Sequence, residues 1–344
     1  MKTLRDISWQ VDEPTYRADS ALSYSTLSKF AREGFNNLDT LFDKVDSPSL
    51  TFGSAVDALM TGGQEEFDKN FLVADFPPVT EAVGKMVKAL FDECWQTYTS
   101  LNDIPNDVII NKSEELKYQL NWKPETRAKV IKEQGAELYN LLYLAGDRKV
   151  VDNIFMFDVT NCVIALKTSE STKTFFNEFD QTYERYYQLK FKARFDGVDY
   201  RCMADLILVD HANKKIYPID LKTSGHAEWD FYSSFTQWRY DLQARLYWRI
   251  IRDNLDRDEF YKDYTLEDYR FIVVNRKTLV PLVWRFRATK AKGKLMFGKN
   301  DQFEMEDPFV LGKQLSNYLS SRPTVPDGIN LTEDNDIIEW LNKR

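Results

Sequence analysis

Hydrophobic spacing divides the chain into two unlike stretches. Before about residue 170, apolar positions recur every three to four residues, the period of a helix with one buried face. Val83, Val87, Leu90, Cys94 and Tyr98 share such a face, a second amphipathic run covers Thr126–Leu144, and a third lies near Lys149–Val159. Upstream, Leu22-Ser-Tyr-Ser-Thr-Leu-Ser-Lys-Phe sets Ser and Thr ahead of helically spaced apolar residues. That predicts a helix from about Tyr24, capped by Ser23 or Ser25. Ser47-Pro48 breaks the chain, and a short helix over 51–62 is expected to close at Gly62-Gly63. The polar segment 168–174 marks a boundary. Beyond it the period drops to two, with strands predicted over Tyr186–Phe195, Tyr200–Val209 and Lys215–Leu221. A helical run, Phe231–Arg252, follows. Two more strands, Tyr269–Val274 and Pro281–Arg287, precede a helix over Pro308–Leu319 and a Pro-containing loop. The order is a helical front and a β-β-β-α-β-β rear, an α/β protein. No internal repeat or low-complexity segment interrupts it.

Composition narrows the chemistry. The 344 residues are 43% hydrophobic and 29% charged, neither disordered nor membrane-like. No apolar run approaches the ~20 residues of a transmembrane helix. The N-terminus has no apolar segment after its basic start, so a soluble, cytoplasmic protein is expected. Three scattered cysteines, Cys94, Cys162 and Cys202, exclude a disulfide framework and a four-cysteine metal site. Two histidines, His211 and His226, are too few for a three-histidine site. Metal chemistry here would fall to oxygen ligands and hard cations.

The net charge of −8 argues against loose binding to nucleic acid, but it is unevenly spread. Residues 1–170 carry 18 basic and 27 acidic side chains, and the remainder 28 and 27. Residues 269–300 hold nine basic residues and no acid: Arg270, Arg276, Lys277, Arg285, Arg287, Lys290, Lys292, Lys294 and Lys299. Phe271, Trp284, Phe286 and Phe297 are interleaved. Cations neutralise phosphates and aromatics stack on bases, so this stretch is a candidate DNA track. The competing explanation is a strand edge protected by charge.

The most informative segment is residues 200–225, which reads as strand, turn, strand. Asp205 lies within Cys-Met-Ala-Asp-Leu-Ile-Leu-Val, and Asp220 between Ile219 and Leu221. Charges inside apolar runs are expensive unless compensated. Alternation puts Asp220 and Lys222 on one strand face. Counting outward from a two-residue turn at Ala212-Asn213, Asp205 falls opposite Asp220. Like charges there repel, and a divalent cation between them would remove the repulsion. Two carboxylates holding Mg²⁺ or Mn²⁺, with an ammonium to orient water or stabilise charge on phosphate, make a phosphodiester hydrolase. Two edge-strand aspartates with a surface salt bridge are the plain alternative.

The stretch Met203-Ala-Asp-Leu-Ile-Leu-Val-Asp with Ile216-Tyr-Pro-Ile-Asp-Leu-Lys-Thr-Ser resembles motifs II and III of the PD-(D/E)xK nucleases, in particular the exonuclease VIII and RecB-like branch, often phage-encoded. Gln243-Ala-Arg-Leu-Tyr247 resembles the branch's Q-x-x-x-Y helix. Leu22–Phe30 resembles its S-x-S-x-L-x-x-F helix. Gly53-Ser-Ala-Val-Asp57 resembles its G-x-x-x-H helix, with Asp57 in place of the metal-contacting histidine. The branch often carries a glutamate upstream of motif II, and Glu184 is the nearest candidate for it.

The resemblance implies a restriction-endonuclease-like core, with a central mixed β-sheet flanked by helices and a helical N-terminal region. Residues 1–170 would contribute helix 51–62 to the active site. Residues 171–344 would form the nuclease core and its tail, all in one continuous domain. It implies an Mg²⁺- or Mn²⁺-dependent exodeoxyribonuclease acting on linear double-stranded ends in recombination or replication, in a bacterial or phage-infected cell. Asp205, Asp220 and Asp57 would bind metal, Lys222 would act on water, and Gln243, Tyr247 and Glu184 would support the site. A single-strand annealing protein is an implied partner and a homo-oligomeric ring an implied assembly. The competing function is a non-catalytic DNA-binding or assembly protein on a decayed nuclease fold, for which the Asp57 departure is the ground.

Overall fold

The computed structural model describes residues 2–35, 38–43, 47–226, 230–289, 293–297 and 301–321. Helices make up most of the front: α1 Glu13–Ala18, α2 Tyr24–Glu33, α3 Pro48–Thr61 and α4 Gly63–Asn70, followed by α5 Glu81–Cys94, α6 Asn106–Glu115 and α7 Pro124–Ala145. Two short strands, β1 Phe71–Val73 and β2 Lys149–Val151, pair in parallel across this region. At three residues each they are too short to show a period of two, so the sequence pattern missed them. Next come α8 Asn153–Thr168 and the single turn α9 Lys173–Phe176.

The rear is a mixed sheet. Its strands are β3 Glu184–Phe195, β4 Val198–Asp210, β5 Lys215–Ser224, β6 Thr265–Leu266, β7 Tyr269–Asn275 and β8 Leu282–Phe286. The order is β3-β4-β5-β7-β8, with β6 beside β5. β5 and β7 run parallel, and the other pairs on that path are antiparallel. The crossover between β5 and β7 carries two helices, α10 Phe231–Gln237 and α11 Tyr240–Asp256, where one was expected. A separate antiparallel pair was not anticipated: β9 Gly293–Phe297 lies in the basic stretch and β10 Asp301–Met305 just past it. α12 Pro308–Ser321 follows.

Helices cover both sheet faces. On one, Leu242, Leu246, Ile250 and Ile251 of α11 pack with Leu27 and Phe30 of α2 against Phe191, Cys202, Phe271 and Val273. On the other, Phe52, Ala55 and Val56 of α3 and Val159, Cys162 and Leu166 of α8 pack against Leu206, Leu208, Ile219 and Ile272. α5, α6 and α7 enclose a third apolar cluster around Val87, Leu90, Ile109, Ile131 and Tyr139.

The hairpin turn is longer than expected. Pairing starts at Asp210↔Lys215, leaving four turn residues, because the Asp210 carboxylate accepts from the Asn213 backbone N–H (2.9 Å) and its Nδ2 (2.8 Å). The register is the one obtained by counting. It passes Ile207↔Pro218 without a shift and ends at Leu206↔Ile219.

Gly135 of α7 faces α5. A Cβ there would meet Val87 Cγ2 at 2.3 Å and Leu101 Cδ2 at 3.0 Å. Gly→Ala in a helix interior ordinarily stabilises by about 1 kcal/mol. Here the β-branched, buried Val87 cannot yield cheaply, and overpacking of roughly 1–3 kcal/mol outweighs that gain. Gly135→Ala is therefore expected to lower the urea midpoint, whereas a raised midpoint would show that the helices do not approach this closely.

Candidate active site

The site begins where two strands part. Beyond Leu206↔Ile219, β4 stays with β3 as far as Val198, while β5 continues with β7 to Ser224↔Asn275. Asp205 and Asp220 are the first residues past the fork. Asp205 closes its crotch, with its Oδ2 accepting from the Leu221 backbone N–H at 2.8 Å. A side chain thus takes the place of a ladder carbonyl.

The same row is distorted on its other side. Tyr187↔Leu206 and Leu189↔Ala204 are paired, and between them Gln188, with φ +54°, faces Asp205 outside the ladder. Side-chain alternation slips here on both strands. Tyr186 and Leu189, and likewise Ala204 and Ile207, lie on the α11 face, although each pair is three residues apart. Positive φ in a non-glycine strand residue is strained and is held only by its surroundings.

Asp220 is 1% exposed. Gln243 Nε2 of α11 donates to its Oδ1 at 2.5 Å. Lys222 Nζ lies 2.5 Å from Oδ2 as an ion pair. The same ammonium is 4.8 Å from the centre of the Tyr240 ring.

Asp57 arrives from the opposite face. A Cβ on Gly53 would sit 3.3 Å from Thr223 Oγ1, so the glycine lets α3 lie close to β5. Asp57 is one turn further along. Its Oδ2 accepts from Gln188 Nε2 at 2.7 Å, and its buried Oδ1 has no donor.

The electrostatics follow from this crowding. Burial, then the charges of Asp220 and Glu13, push Asp57 from 3.8 up to about 7, against the pull of Lys222. Burial, Asp220 and Asp57 hold Asp205 well above the carboxylate range. For Lys222, burial works against the charged form, but Asp220, Tyr240 and Asp205 outweigh it and keep the ammonium protonated.

Among the described residues, no three His, Cys, Asp or Glu side chains stand in a ready-made ion-holding arrangement. The donor chemistry nevertheless fits a hard cation. Three carboxylates crowd one desolvated space, and Asp57 Oδ1 and Gln243 Oε1 are buried oxygens without a hydrogen-bond donor among the described residues.

The remaining candidates lie as follows. Tyr247, one turn beyond Gln243, is buried against Tyr269 with ring centres 6.4 Å apart and makes no hydrogen bond to the carboxylates among the described residues. Its phenol is held protonated by burial first, then by neighbouring Tyr16, Cys202 and the two aspartates. Glu184 is not brought to the cluster. It pairs with Val209 near the hairpin turn, and its carboxylate meets His211 Nε2 at 2.8 Å, while His211 Nδ1 meets the Tyr264 hydroxyl at 2.8 Å.

The basic stretch does not form one track. Arg270 and Arg285 oppose each other in the ladder at the level of Ile219, one residue from Asp220, and Arg270 lies over the Tyr217 ring at 4.6 Å. Arg287 is exposed just past β8. Arg276 and Lys277 are exposed at the site end, just beyond Ser224↔Asn275, and Arg276 lies 5.9 Å from the Phe52 ring of α3. Lys290, Lys292 and Lys299 fall outside the described residues, and only the backbone of Lys294 is described.

Sequence reasoning missed Gln188, Tyr240 and Glu13. Tyr240, three residues before Gln243 on the helix face that reaches the fork, carried a usable signal. Gln188 carried none, because its role depends on a backbone distortion.

No helix among the described residues is long and apolar enough to cross a membrane. No family model matches the chain, and no curated protein does. Among solved structures, the chain is similar to one described as a "Putative exonuclease" from Eubacterium rectale, at 12% identity and a TM-score of 0.42, over 90% of this chain and 86% of that one. A likeness at that level carries no argument about this chain.

A carboxyl that holds its proton more tightly folded than unfolded stabilises the fold at low pH, and that stability is lost as pH rises between its two pKa values. For Asp57 the window runs from 3.8 to about 7. In EDTA, the melting temperature is expected to fall from about pH 5 to about pH 7.5, and Asp57→Asn to flatten the fall. An equal slope in the variant would show that Asp57 is not crowded in this way.

Proposed function

We propose that this chain is a divalent-cation-dependent DNA phosphodiesterase acting on linear double-stranded ends. The observation that carries the reading is the convergence of Asp205, Asp220, Asp57 and Lys222 at the β4–β5 fork, with Asp57 Oδ1 buried and without a donor among the described residues. The duplex-end substrate rests on the motif resemblance.

Asp205, Asp220 and Asp57 would hold Mg²⁺ or Mn²⁺, whose chemistry is to acidify water and polarise a phosphoryl oxygen. The residues of the chain do the rest. Gln243 pins one oxygen of Asp220 and so fixes the direction of the other. Gln188 does the same for Asp57. Lys222, held as an ammonium, donates to water or to a phosphate oxygen and steadies the charge that develops there. It is not poised to take a proton. The Tyr240 ring limits where that ammonium can go. Arg276 and Lys277, exposed at the same end of the sheet, are placed to meet backbone phosphates.

One observation favours the non-catalytic alternative. Lys222 is folded onto Asp220, and no ion-holding arrangement is formed among the described residues. The two readings part in a simple assay of end-labelled linear duplex and closed circular DNA, with Mg²⁺ or EDTA. Metal-dependent loss of the linear DNA only is expected, with Lys222→Ala slower by roughly 10²-fold or more. Folded wild-type protein that cleaves nothing in Mg²⁺ or Mn²⁺, yet binds DNA, would make it a binding protein.

A further inference from the structure

Residues 231–252 contain neither proline nor glycine, yet the helix they were expected to form is broken at Trp238-Arg239. Arg239 adopts the left-handed conformation, φ 58° and ψ 43°, which residues bearing a Cβ avoid. The break is held from several sides. Arg239 Nε donates to Asp241 at 3.1 Å, and its Nη1 reaches Glu306. Asp241 is fully buried and also pairs with Arg245 at 3.2 Å. The Tyr24 hydroxyl donates to the Trp238 carbonyl at 2.6 Å. Backbone strain persists only where its surroundings over-determine it, and it gathers at functional sites.

The consequence of the break is an outward indole. Trp238 is 42% exposed at the joint, in a segment whose neighbours Phe235 and Arg239 are buried. The Arg32 guanidinium lies 4.9 Å from its ring centre. Arg32 has no carboxylate partner among the described residues; its Nε donates to the Ser28 carbonyl at 3.0 Å. A continuous set of contacts leads from this pair to the carboxylates. The Tyr24 ring is 6.2 Å from Tyr240, and Tyr240 is 4.8 Å from Lys222 Nζ. Single exposed apolar residues are ordinary on a protein surface. A tryptophan set out by a strained, ion-pinned break, beside an arginine with no carboxylate partner among the described residues and linked through Tyr24 and Tyr240 to the carboxylate cluster, is not of that kind.

We propose that Trp238 and Arg32 form a stacking platform for a terminal or unpaired nucleobase of the strand whose phosphate lies at the carboxylate cluster. The inference rests on the phosphodiesterase reading and names its substrate more closely, as a frayed or single-stranded terminus. An indole face accepts any base, and a guanidinium adds cation–π attraction and a phosphate contact. A base inside a duplex has neighbours on both faces and cannot be taken. The platform therefore supplies a physical reason for acting at ends rather than along an intact circle.

The test uses the full chain. Binding of a labelled single-stranded oligonucleotide is followed by anisotropy in EDTA, and cleavage of blunt and frayed duplex ends is followed in Mg²⁺. Trp238→Ala is expected to weaken oligonucleotide binding roughly 10- to 100-fold and to abolish any preference for frayed ends. Trp238→Phe should keep most of both. Phe179→Ala, at a side chain 95% exposed and outside the site, should match wild type. If Trp238→Ala binds and cleaves as wild type does, the platform is overturned and the hydrolase stands. If wild type binds the oligonucleotide, Trp238→Ala does not, and neither cleaves, the platform stands and the hydrolase falls. An equal loss in the Phe and Ala variants would assign Trp238 a packing role and overturn the proposal.

Discussion

Three carboxylates forced into one desolvated space form the constraint on which the rest of this structure turns. Asp205, Asp220 and Asp57 come from two strands and a helix; Asp220 raises the proton affinity of both others, and Asp57 raises that of Asp205. Nothing in apolar packing would draw them together, and a folded chain accepts such repulsion only where something relieves it. Lys222 relieves part of it, Gln243 and Gln188 satisfy one oxygen each, and the Leu221 backbone satisfies another. The buried Asp57 Oδ1, without a donor among the described residues, marks what is left over.

The sheet is arranged to make that space. A continuous β4–β5 ladder would have set Asp205 and Asp220 side by side with no room between them. Ending the ladder at Leu206↔Ile219 opens a wedge, and β5 loses no stability from it because β7 pairs its other edge to the end. Gln188 and Asp205 take up the slip in alternation, so both strands still bury apolar residues above and below the fork. Helices from both faces then reach it. α11 supplies Gln243 and Tyr240 from one side, and α3, drawn in at Gly53, supplies Asp57 from the other. The three-helix cluster of α5, α6 and α7 has its own apolar core and lends no side chain to the fork.

Much of this could be read from residue order, for identifiable reasons. Asp205 and Asp220 stand out because they interrupt apolar runs, and their opposition follows from counting through a hairpin whose register Pro218 does not disturb. The helix bearing Gln243 and Tyr247 shows in its periodicity. What could not be read depends on three-dimensional placement. Glu184 is the nearest glutamate upstream of Asp205, but it lies at the turn with His211 rather than at the fork. The basic residues of 269–300 form one cluster in sequence and separate groups in space, because Arg270 and Arg276 lie at the two ends of β7. The break at Trp238 has no sequence signal, since Glu306 and the Tyr24 hydroxyl, both distant in sequence, help to hold it.

The account stands most directly on whether the fork takes a cation. Crystals grown with Mn²⁺ and measured for anomalous scattering would answer this without reference to activity. A peak between Asp205, Asp220 and Asp57, with Lys222 turned away from Asp220, is the predicted result. Ordered carboxylates with no peak, and the Lys222–Asp220 ion pair intact at saturating Mn²⁺, would contradict it.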